Sequence, residues 1–290
     1  MQIRQAIVAG QFYPADRETC LSQIRECLPS EGLPPSGPER PVAGIVPHAG
    51  WTFSGRLAAM VFAAVKQRRP TVDTFVLFGA AHAYFGALAA MDASEAWETP
   101  LGAVPVDGAL RQSLLERDAA AIEPAAHRGE HSIEVQVPFI RHLFPEARIL
   151  PIVVPATEAA VPLGRAVAEC LGGSDATVVC IGSTDLTHYG PRYGFTPMGV
   201  NNDGLQWATE VNDRQFIDLA LSLQAQRLLG HAIENGSACG PGAAAAAMTV
   251  ADQLGVGKGV LLAHTDSNEI MRHRRGAPCR DSVGYAAIVF

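Results

Sequence analysis

The chain has 290 residues, of which 48% are hydrophobic and 18% charged, and its mean hydropathy is +0.12. This composition excludes a disordered protein, and the length allows either one large α/β domain or two tightly joined halves. The 22 basic and 29 acidic residues give a formal charge of −7, and no basic cluster exceeds residues 272–275, so we expect no nucleic-acid partner.

The predicted elements begin with a helix over 16–28, which a Pro- and Gly-rich surface loop follows at 29–38. Short apolar segments then alternate with helical patterns along the rest of the chain. The predicted strands cover 42–47, 74–79, 148–154, 176–182, 259–263 and 281–290. The predicted helices cover 55–68, 107–117, 131–144, 158–171, 206–220, 222–234 and 243–254. Residues 85–106 contain Gly and Pro turns and predict a small hairpin excursion.

This alternation indicates the fold class α/β: a single domain over residues 1–290 with a mostly parallel central sheet flanked by helices. Strands that are continuous apolar segments are buried on both faces, which is typical of parallel sheets. Such sheets bind their ligands at the carboxyl ends of the strands. We therefore expect the functional residues in the loops that follow the strands.

The cysteines and the N-terminus indicate where the protein resides. The six cysteines include no CxxC pair and are widely spaced, which favours reduced thiols over a disulfide framework. The N-terminal residues lack the apolar core of a signal peptide, and no segment approaches the roughly 20 apolar residues of a spanning helix. We expect a cytoplasmic protein with no membrane partner.

Three candidate metal ligands lie in loops of this predicted fold. His48 follows the strand at 42–47, His82 follows the strand at 74–79 by three residues, and Cys239 precedes a helix in a Gly-rich bend. Imidazole and thiolate groups bind transition metals, and three such ligands leave positions open for water or substrate, as in catalytic sites. Each residue also has an ordinary interpretation, as a hydrogen-bonded turn histidine or an inert buried thiol.

A second polar group follows the strand at 176–182. Asp185 and His188 lie three residues apart, and a carboxylate that accepts a hydrogen bond from one imidazole nitrogen orients the other for proton transfer. Alternatively, the side chain of Asp185 only caps the turn. A third group, Glu130 and His131 with Arg128 beside them, precedes a helix and is interpreted as a support or a substrate contact of the site.

Nine motifs occur in a fixed order over nearly the whole chain: AGQFYP (9–14), VPHAGWTFSG (46–55), GAAHAYFG (79–86), TPLGAVPVD (99–107), HRGEHSIEVQVPFI (127–140), PIVVP (151–155), STDLTHYGPRYGFTP (183–197), SACGPG (237–242) and DSVGYAA (281–287). Together they resemble the Memo family, whose bacterial and archaeal members are called AmmeMemoRadiSam system protein B. The resemblance implies the fold of the class III extradiol ring-cleaving dioxygenases, whose relatives hold non-haem Fe(II) with two histidines and one carboxylate.

Carried over position by position, the resemblance places the family's metal site on His48, His82 and Cys239. His188, with Asp185 beside it, falls on the position of an acid/base histidine near the open face of the metal. His131 also lies in a family motif. The implied cofactor is a divalent metal, with Fe(II) as the first expectation.

Cys239 is a departure from the dioxygenases, because a thiolate stands where they have a carboxylate. The softer ligand opens the site to copper or zinc as well as iron, and it argues against assuming ring cleavage. The resemblance also implies partners. Some Memo proteins recognise phosphotyrosine peptides, and the bacterial family label implies an AMMECR1-like protein and a radical SAM enzyme.

Three functions remain open at this point. The first is an iron-dependent oxidoreductase or dioxygenase acting on a small molecule, in which His188 transfers a proton, Asp185 orients it and His131 is a further catalytic candidate. The second is a non-catalytic module that binds a metal or a phosphopeptide in the former catalytic cleft. The third makes Cys239 a nucleophile that His188 and Asp185 activate. Candidates for an aromatic cleft wall, with ordinary packing as the alternative, are Trp51, Tyr84, Tyr189 and Trp207.

Overall fold

The computed structural model of the chain describes residues 2–30, 37–173, 175–275 and 280–290. Within these ranges short strands and helices alternate, as the apolar segments predict. The strands are β1 (Ile3–Arg4), β2 (Ala43–Val46), β3 (Thr74–Ala80), β4 (Ala89–Met91), β5 (Ala96–Trp97), β6 (Val104–Pro105), β7 (Ala120–Ile122), β8 (Arg148–Val154), β9 (Val178–Ser183), β10 (His188–Tyr189), β11 (Val260–Asp266) and β12 (Ser282–Val289).

The α-helices lie between these strands and cover both faces of the larger sheet. They are α1 (Arg17–Cys27), α2 (Trp51–Arg68), α3 (Gly108–Leu115), α4 (Val137–Leu143), α5 (Ala160–Leu171), α6 (Asn202–Trp207), α7 (Asp213–Leu221), α8 (Ala225–Asn235), α9 (Pro241–Gln253) and α10 (Ser267–Arg275). Short 3₁₀ turns cover Pro124–His127, Glu134–Gln136 and Pro191–Tyr193, and a π-helix covers Ala208–Asn212.

The main sheet has its strands in the order β10-β12-β2-β9-β3-β8-β4-β7, with β11 paired to β12. Its four central strands, β2, β9, β3 and β8, run parallel. Antiparallel pairings are added outside them, by β12 on one side and by β4 on the other. The α/β class is confirmed, and the sheet is mixed around a parallel centre.

Burial on both faces explains why the central strands are apolar throughout. In β3, Val76 and Phe78 pack into the core layer beneath α5, α8 and α9, whereas Phe75 and Leu77 pack into the layer beneath α1, α2 and α4. Alternate residues of a strand face opposite sides of the sheet, so a strand covered on both sides must be apolar at every position.

Small residues let α9 lie unusually close to the sheet. Six of its thirteen residues are alanine, and its first eleven residues are buried. A Cβ atom on Gly182 of β9 would lie 2.6 Å from the carbonyl oxygen of Ala243, and one on Gly164 of α5 would lie 2.6 Å from that of Ala246. Glycine at both positions is what allows the backbones to approach, and this approach fixes the start of α9, just after Cys239.

Two predicted elements differ in detail from the structure. The excursion at 85–106 contains an antiparallel pair, β5 and β6, but that pair joins β1 in a separate three-stranded sheet, and β4 belongs to the main sheet. The helix predicted at 131–144 becomes a 3₁₀ turn followed by α4, because Ser132 and Glu134 at its start bind other segments through their side chains.

The helix predicted at 206–220 is interrupted by the π-helix, which brings two buried polar residues towards the loop after β9. The side-chain amide of Asn212 donates to Thr187 Oγ1 at 3.0 Å, and Asp213 Oδ1 accepts from the backbone N–H of Thr187 at 3.0 Å. Such long-range contacts leave no periodic signal. Of the predicted loop at 29–38, residues 31–36 lie outside the described ranges.

None of the helices in the described ranges combines the length and apolar character needed to cross a bilayer. The cysteines of these ranges form no disulfide.

Candidate metal centre

Four polar side chains meet at the carboxyl ends of adjacent parallel strands. His48 lies two residues after β2, Asp185 two residues after β9, and His82 two residues after β3. These strands are neighbours in the order β2, β9, β3. Cys239 lies two residues before α9, and its backbone N–H donates to the carbonyl oxygen of Asp185 at 3.2 Å.

The structure brings together the three residues that the sequence proposes as metal ligands. The ligand atoms of His48, His82 and Cys239 all lie within 4.8 Å of one another. Nε2 of His48 is 3.2 Å from Sγ of Cys239, and the rings of His48 and His82 meet edge to face with centroids 5.2 Å apart. Spacings of this size suit three ligands of one transition-metal ion at about 2.0–2.3 Å each.

Hydrogen bonding orients the His48 ring for ligation. Nδ1 lies 3.1 Å from the hydroxyl of Ser183, which donates its own hydrogen to the carbonyl oxygen of Ser132 at 2.7 Å. Ser183 therefore accepts from Nδ1–H of His48, and the lone pair of this ring is on Nε2, the atom next to Cys239. Burial lowers the pKa of His48 well below its usual value, which keeps the ring neutral, the form that binds metals.

Glu130 orients His82 in the same way. Its Oε2 atom lies 3.0 Å from Nδ1 of His82, and its Oε1 atom accepts from the backbone N–H of Ser132 at 2.6 Å. Burial opposes ionisation of Glu130, but the hydrogen bonds from His82 and Ser132 outweigh it and lower the pKa of this carboxyl group. A carboxylate on Nδ1 leaves Nε2 of His82 as the ligand atom, the arrangement found in many metal sites.

These contacts show that the donor set fits a transition metal. Two imidazoles present lone pairs from the same ring position, and one thiol lies beside them. Burial raises the pKa of the Cys239 thiol, so without a metal the sulfur keeps its proton at neutral pH. The raised pKa argues against Cys239 as a free nucleophile, because the reactive form of a cysteine is the thiolate.

Asp185 and His188 lie at the side of the three ligands. Oδ1 of Asp185 accepts from the backbone N–H of His48 at 2.7 Å, whereas Oδ2 is 4.0 Å from Nε2 of His188. The first contact is a hydrogen bond and the second is too long to be one. Burial raises the pKa of Asp185 and lowers that of His188, which favours the neutral form of each.

His131 lines the other side of the cleft, beside His82. The two rings stack with centroids 4.9 Å apart and an angle of 11° between them, and Phe12 packs on the outer face of His131 at 4.7 Å. Nδ1 of His131 is 3.9 Å from Glu130 Oε1, beyond hydrogen-bond distance. His131 is therefore placed next to the metal ligands and is open to the cleft.

The cleft over these residues has a volume of about 580 Å³. Its walls are mostly apolar, and Arg192 and Asp281 lie among the residues that line it. The apolar and aromatic lining residues are Phe12, Phe53, Tyr193, Met271, Val283 and Tyr285. An apolar cleft with a few convergent polar groups is the usual form of a small-ligand site.

The aromatic residues proposed from the sequence are not those that form these walls. Trp51 is buried in the core, where its indole N–H donates to the carbonyl oxygen of Val135 at 3.0 Å, and Tyr189 is also buried. Neither Tyr84 nor Trp207 is among the described residues that line the cleft. Spacing along the chain cannot show which aromatic residues reach a cleft formed by distant segments.

The sequence did not show the roles of two residues that shape the site. Ser183 orients His48, and Glu134 holds the N-terminal segment that carries Phe12, accepting from the backbone N–H of Val8 at 2.8 Å and from the hydroxyl of Tyr13 at 3.0 Å. The available signal was their position inside the motifs at 183–197 and 127–140.

Comparison with known proteins identifies relatives of this chain. The family model described as Memo-like protein matches residues 4–289. The chain is 36% identical over 298 residues to a MEMO1 family protein of Thermococcus kodakarensis and 35% identical over 297 residues to one of Thermococcus onnurineus, with 99% of both chains covered in each case. It is 34% identical over 292 residues to a MEMO1 family protein of Methanosarcina barkeri, again with 99% of both chains covered.

Proposed function

The chain belongs to the Memo-like family, and we propose that it is a metalloprotein that holds Fe(II) on His48, His82 and Cys239. The convergence of these three ligand atoms within 4.8 Å carries the proposal. Ser183 and Glu130 support it, because each fixes the ring nitrogen that faces away from the centre. Such supporting hydrogen bonds are typical of metal sites.

The donor set argues for an open and soft site. Three protein ligands leave coordination positions for water or a ligand, and a thiolate in place of a carboxylate makes copper or zinc the alternatives to iron. Iron bound there would supply one-electron and dioxygen chemistry. We therefore propose a dioxygenase-like oxidoreductase.

The residues around the ligands have different proposed roles. His188 faces the cleft from the β9 side and is suited to take a proton from a bound ligand, or return it, at a ring nitrogen. Asp185 holds the loop by accepting from His48 N–H and presents its second oxygen towards His188. His131 forms the opposite wall, where Phe12 covers it and helps to exclude water.

A small molecule with an apolar or planar body is the ligand we propose. The walls of Phe12, Phe53 and Tyr285 favour it, and the volume of about 580 Å³ lies in the range of small-molecule sites. The alternative is a module that binds a metal or a peptide without turnover. Arg192 on the cleft lining favours that alternative for an acidic or phosphorylated peptide, because guanidinium groups pair with phosphate.

The proposed partners follow from the family context alone, whereas the proposed location follows from the pattern of cysteines and from the N-terminal residues. We propose a cytoplasmic protein that works beside an AMMECR1-like protein and a radical SAM enzyme, as the resemblance implies. Co-purification of either protein with the tagged chain from its own cells is the test. Recovery of neither, after crosslinking in living cells, contradicts the proposal.

The metal test uses protein purified without added metal and without oxygen. Elemental analysis is expected to find iron near one equivalent per chain, and to find it lost in Cys239→Ser and His48→Ala but kept in His142→Ala, a half-buried histidine outside the site. No retention of Fe(II), Cu(I) or Zn(II) after reconstitution contradicts the metal site.

Turnover is tested separately by oxygen uptake of the iron-loaded protein with a panel of catechols and other small chelating phenols. Uptake that falls in His188→Ala supports the oxidoreductase. Tight iron binding with no uptake above that of the variant supports the non-catalytic alternative.

A further inference from the structure

Cys239 belongs to two sets of potential metal ligands at once. Its Sγ atom converges with the ring nitrogens of His48 and His82, and also with Asp185 and His188 on its other side. In each set all the ligand atoms lie within 4.8 Å of one another. The second set uses no atom of the two histidines of the first, so the two sets share only the sulfur of Cys239.

The second set contains a buried ring nitrogen that has no hydrogen-bond partner among the described residues. Nε2 of His188 is buried and finds no hydrogen-bond partner among the residues that the structure describes. It faces Oδ2 of Asp185 across 4.0 Å, which is beyond a hydrogen bond and leaves room for an ion or a water molecule between the two atoms. Buried unsatisfied nitrogens are rare, and an ion or ordered water is the usual explanation.

The types of donor favour an ion over a water molecule. A sulfur, a carboxyl oxygen and an imidazole nitrogen, one from each of three side chains, lie within 4.8 Å of one another. Thiolate and imidazole are ligands that transition metals prefer.

The other overlapping set does not offer a second position. His82, Glu130 and His131 also lie within reach of one another. However, both oxygens of Glu130 are already used, Oε2 by His82 Nδ1 and Oε1 by the N–H of Ser132. A metal there would compete for Glu130 with the hydrogen bonds that orient the first site.

We propose that the cleft holds a second divalent transition-metal ion on Asp185, His188 and Cys239, with the thiolate of Cys239 bridging the two ions. This inference rests on the proposed function, because the bridging sulfur is also a ligand of the first ion. The donor set of one oxygen, one nitrogen and one sulfur suits zinc, cobalt or iron.

The second ion would give the cleft two states that depend on metal supply. With one ion bound, Nε2 of His188 is available to move a proton. With two ions bound, the same nitrogen is a ligand and cannot carry a proton. The two-ion form is therefore the inactive form of the proposed oxidoreductase, and excess metal is its inhibitor.

Cobalt(II) is the probe for counting the ions, because its thiolate complexes absorb light and the ion is paramagnetic. Metal-free full-length protein is titrated with Co(II) without oxygen, freed of loose metal by gel filtration and analysed for cobalt. The expected content is two equivalents per chain in the wild type and in His142→Ala, and one in His188→Ala and Asp185→Asn. Asparagine retains the acceptor for His48 N–H, so the first site is kept.

The outcomes distinguish the two proposals. One equivalent in the wild type overturns the second ion and leaves the proposed function standing. No bound cobalt overturns both. Two equivalents that persist in His188→Ala and Asp185→Asn place the second ion elsewhere on the protein and overturn the inference.

A second measurement needs no variant and therefore survives a folding defect. Two cobalt ions that share a sulfur couple magnetically, so the paramagnetic resonance signal per cobalt is expected to fall as the second equivalent enters. A signal that grows in proportion to cobalt up to two equivalents means that the ions do not share Cys239, and it overturns the bridge.

Discussion

Oε2 of Glu130 lies 3.0 Å from Nδ1 of His82, and this contact sets which nitrogen of His82 faces the metal centre. Glu130→Gln keeps the size of the side chain but removes its charge. We expect metal affinity to fall by about 10–100-fold, the usual effect of losing a supporting partner of a histidine ligand. Competition with a chromophoric chelator measures the metal affinity. The exposed Glu123→Gln serves as the control, and an unchanged affinity in Glu130→Gln contradicts the assigned role.

Ser183 is expected to act on His48 as Glu130 acts on His82. Ser183→Ala removes the acceptor of His48 Nδ1–H, so the ring loses its preference for a lone pair on Nε2. We expect metal affinity to fall by about tenfold. Nitrogen NMR of the metal-free variant is expected to show a mixture of the two His48 tautomers. Ser113→Ala on the exposed face of α3 is the matched control, and a single tautomer identical to wild type refutes the role.

Metal binding is expected to strengthen as the pH rises. Burial raises the pKa of the Cys239 thiol, so the metal-free protein carries a proton on sulfur at neutral pH, and the metal must displace it. One released proton makes the apparent affinity rise by about tenfold per pH unit below the thiol pKa. Titration in a weakly buffered solution with a pH indicator counts the protons. Binding that is independent of pH between 6 and 8 is the contrary result.

Glu134 is expected to contribute to stability rather than to chemistry. It is 1% exposed and pairs with Arg4 at 2.7 Å, and it also accepts from Tyr13 at 3.0 Å. Glu134→Gln breaks a buried ion pair, which typically costs about 3–5 kcal/mol of the free energy of unfolding. Urea denaturation measures the loss. The exposed Glu146→Gln should change stability by less than about 0.5 kcal/mol.

Gly182 and Gly230 offer a matched pair of substitutions to alanine. At Gly182 the new Cβ would lie 2.6 Å from the carbonyl oxygen of Ala243, so α9 must shift. We expect the free energy of unfolding to fall by about 1–3 kcal/mol. We also expect weaker metal binding, because Cys239 precedes this helix. At Gly230, within α8, no atom of the described residues lies within 4 Å of the new Cβ, apart from the helix's own backbone and the chain neighbours, and alanine should stabilise the protein by about 0.5–1 kcal/mol. Thermal denaturation compares the two, and equal effects contradict the close packing of α9.

The core of the candidate site could be predicted because its residues follow strands. His48 and His82 come directly after apolar segments that had to be buried, and parallel strands present their carboxyl ends at one edge. Cys239 is harder to predict as a ligand, because it lies before a helix and not after a strand. It was proposed from its Gly-rich bend and from the family motif around it.

Other parts of the site depend on contacts that no local pattern records. Ser183 reaches His48 only because β9 lies beside β2, and Tyr285 lines the cleft only because β12 adds to the sheet in the antiparallel direction. The order of strands in a sheet is set by long-range packing, which a single sequence does not display. The π-helix before α7 was missed for the same reason, since its buried polar residues are satisfied by the distant Thr187.

The three ligands of the metal centre are spread widely along the chain, with His48 and Cys239 separated by 191 positions. During synthesis, the ribosome makes both histidines long before the cysteine that completes the set. A growing chain therefore presents the complete set of proposed ligands only after most of the protein has been made and α9 has packed onto the sheet. The proposed metal would accordingly bind late, to a chain whose fold is nearly complete.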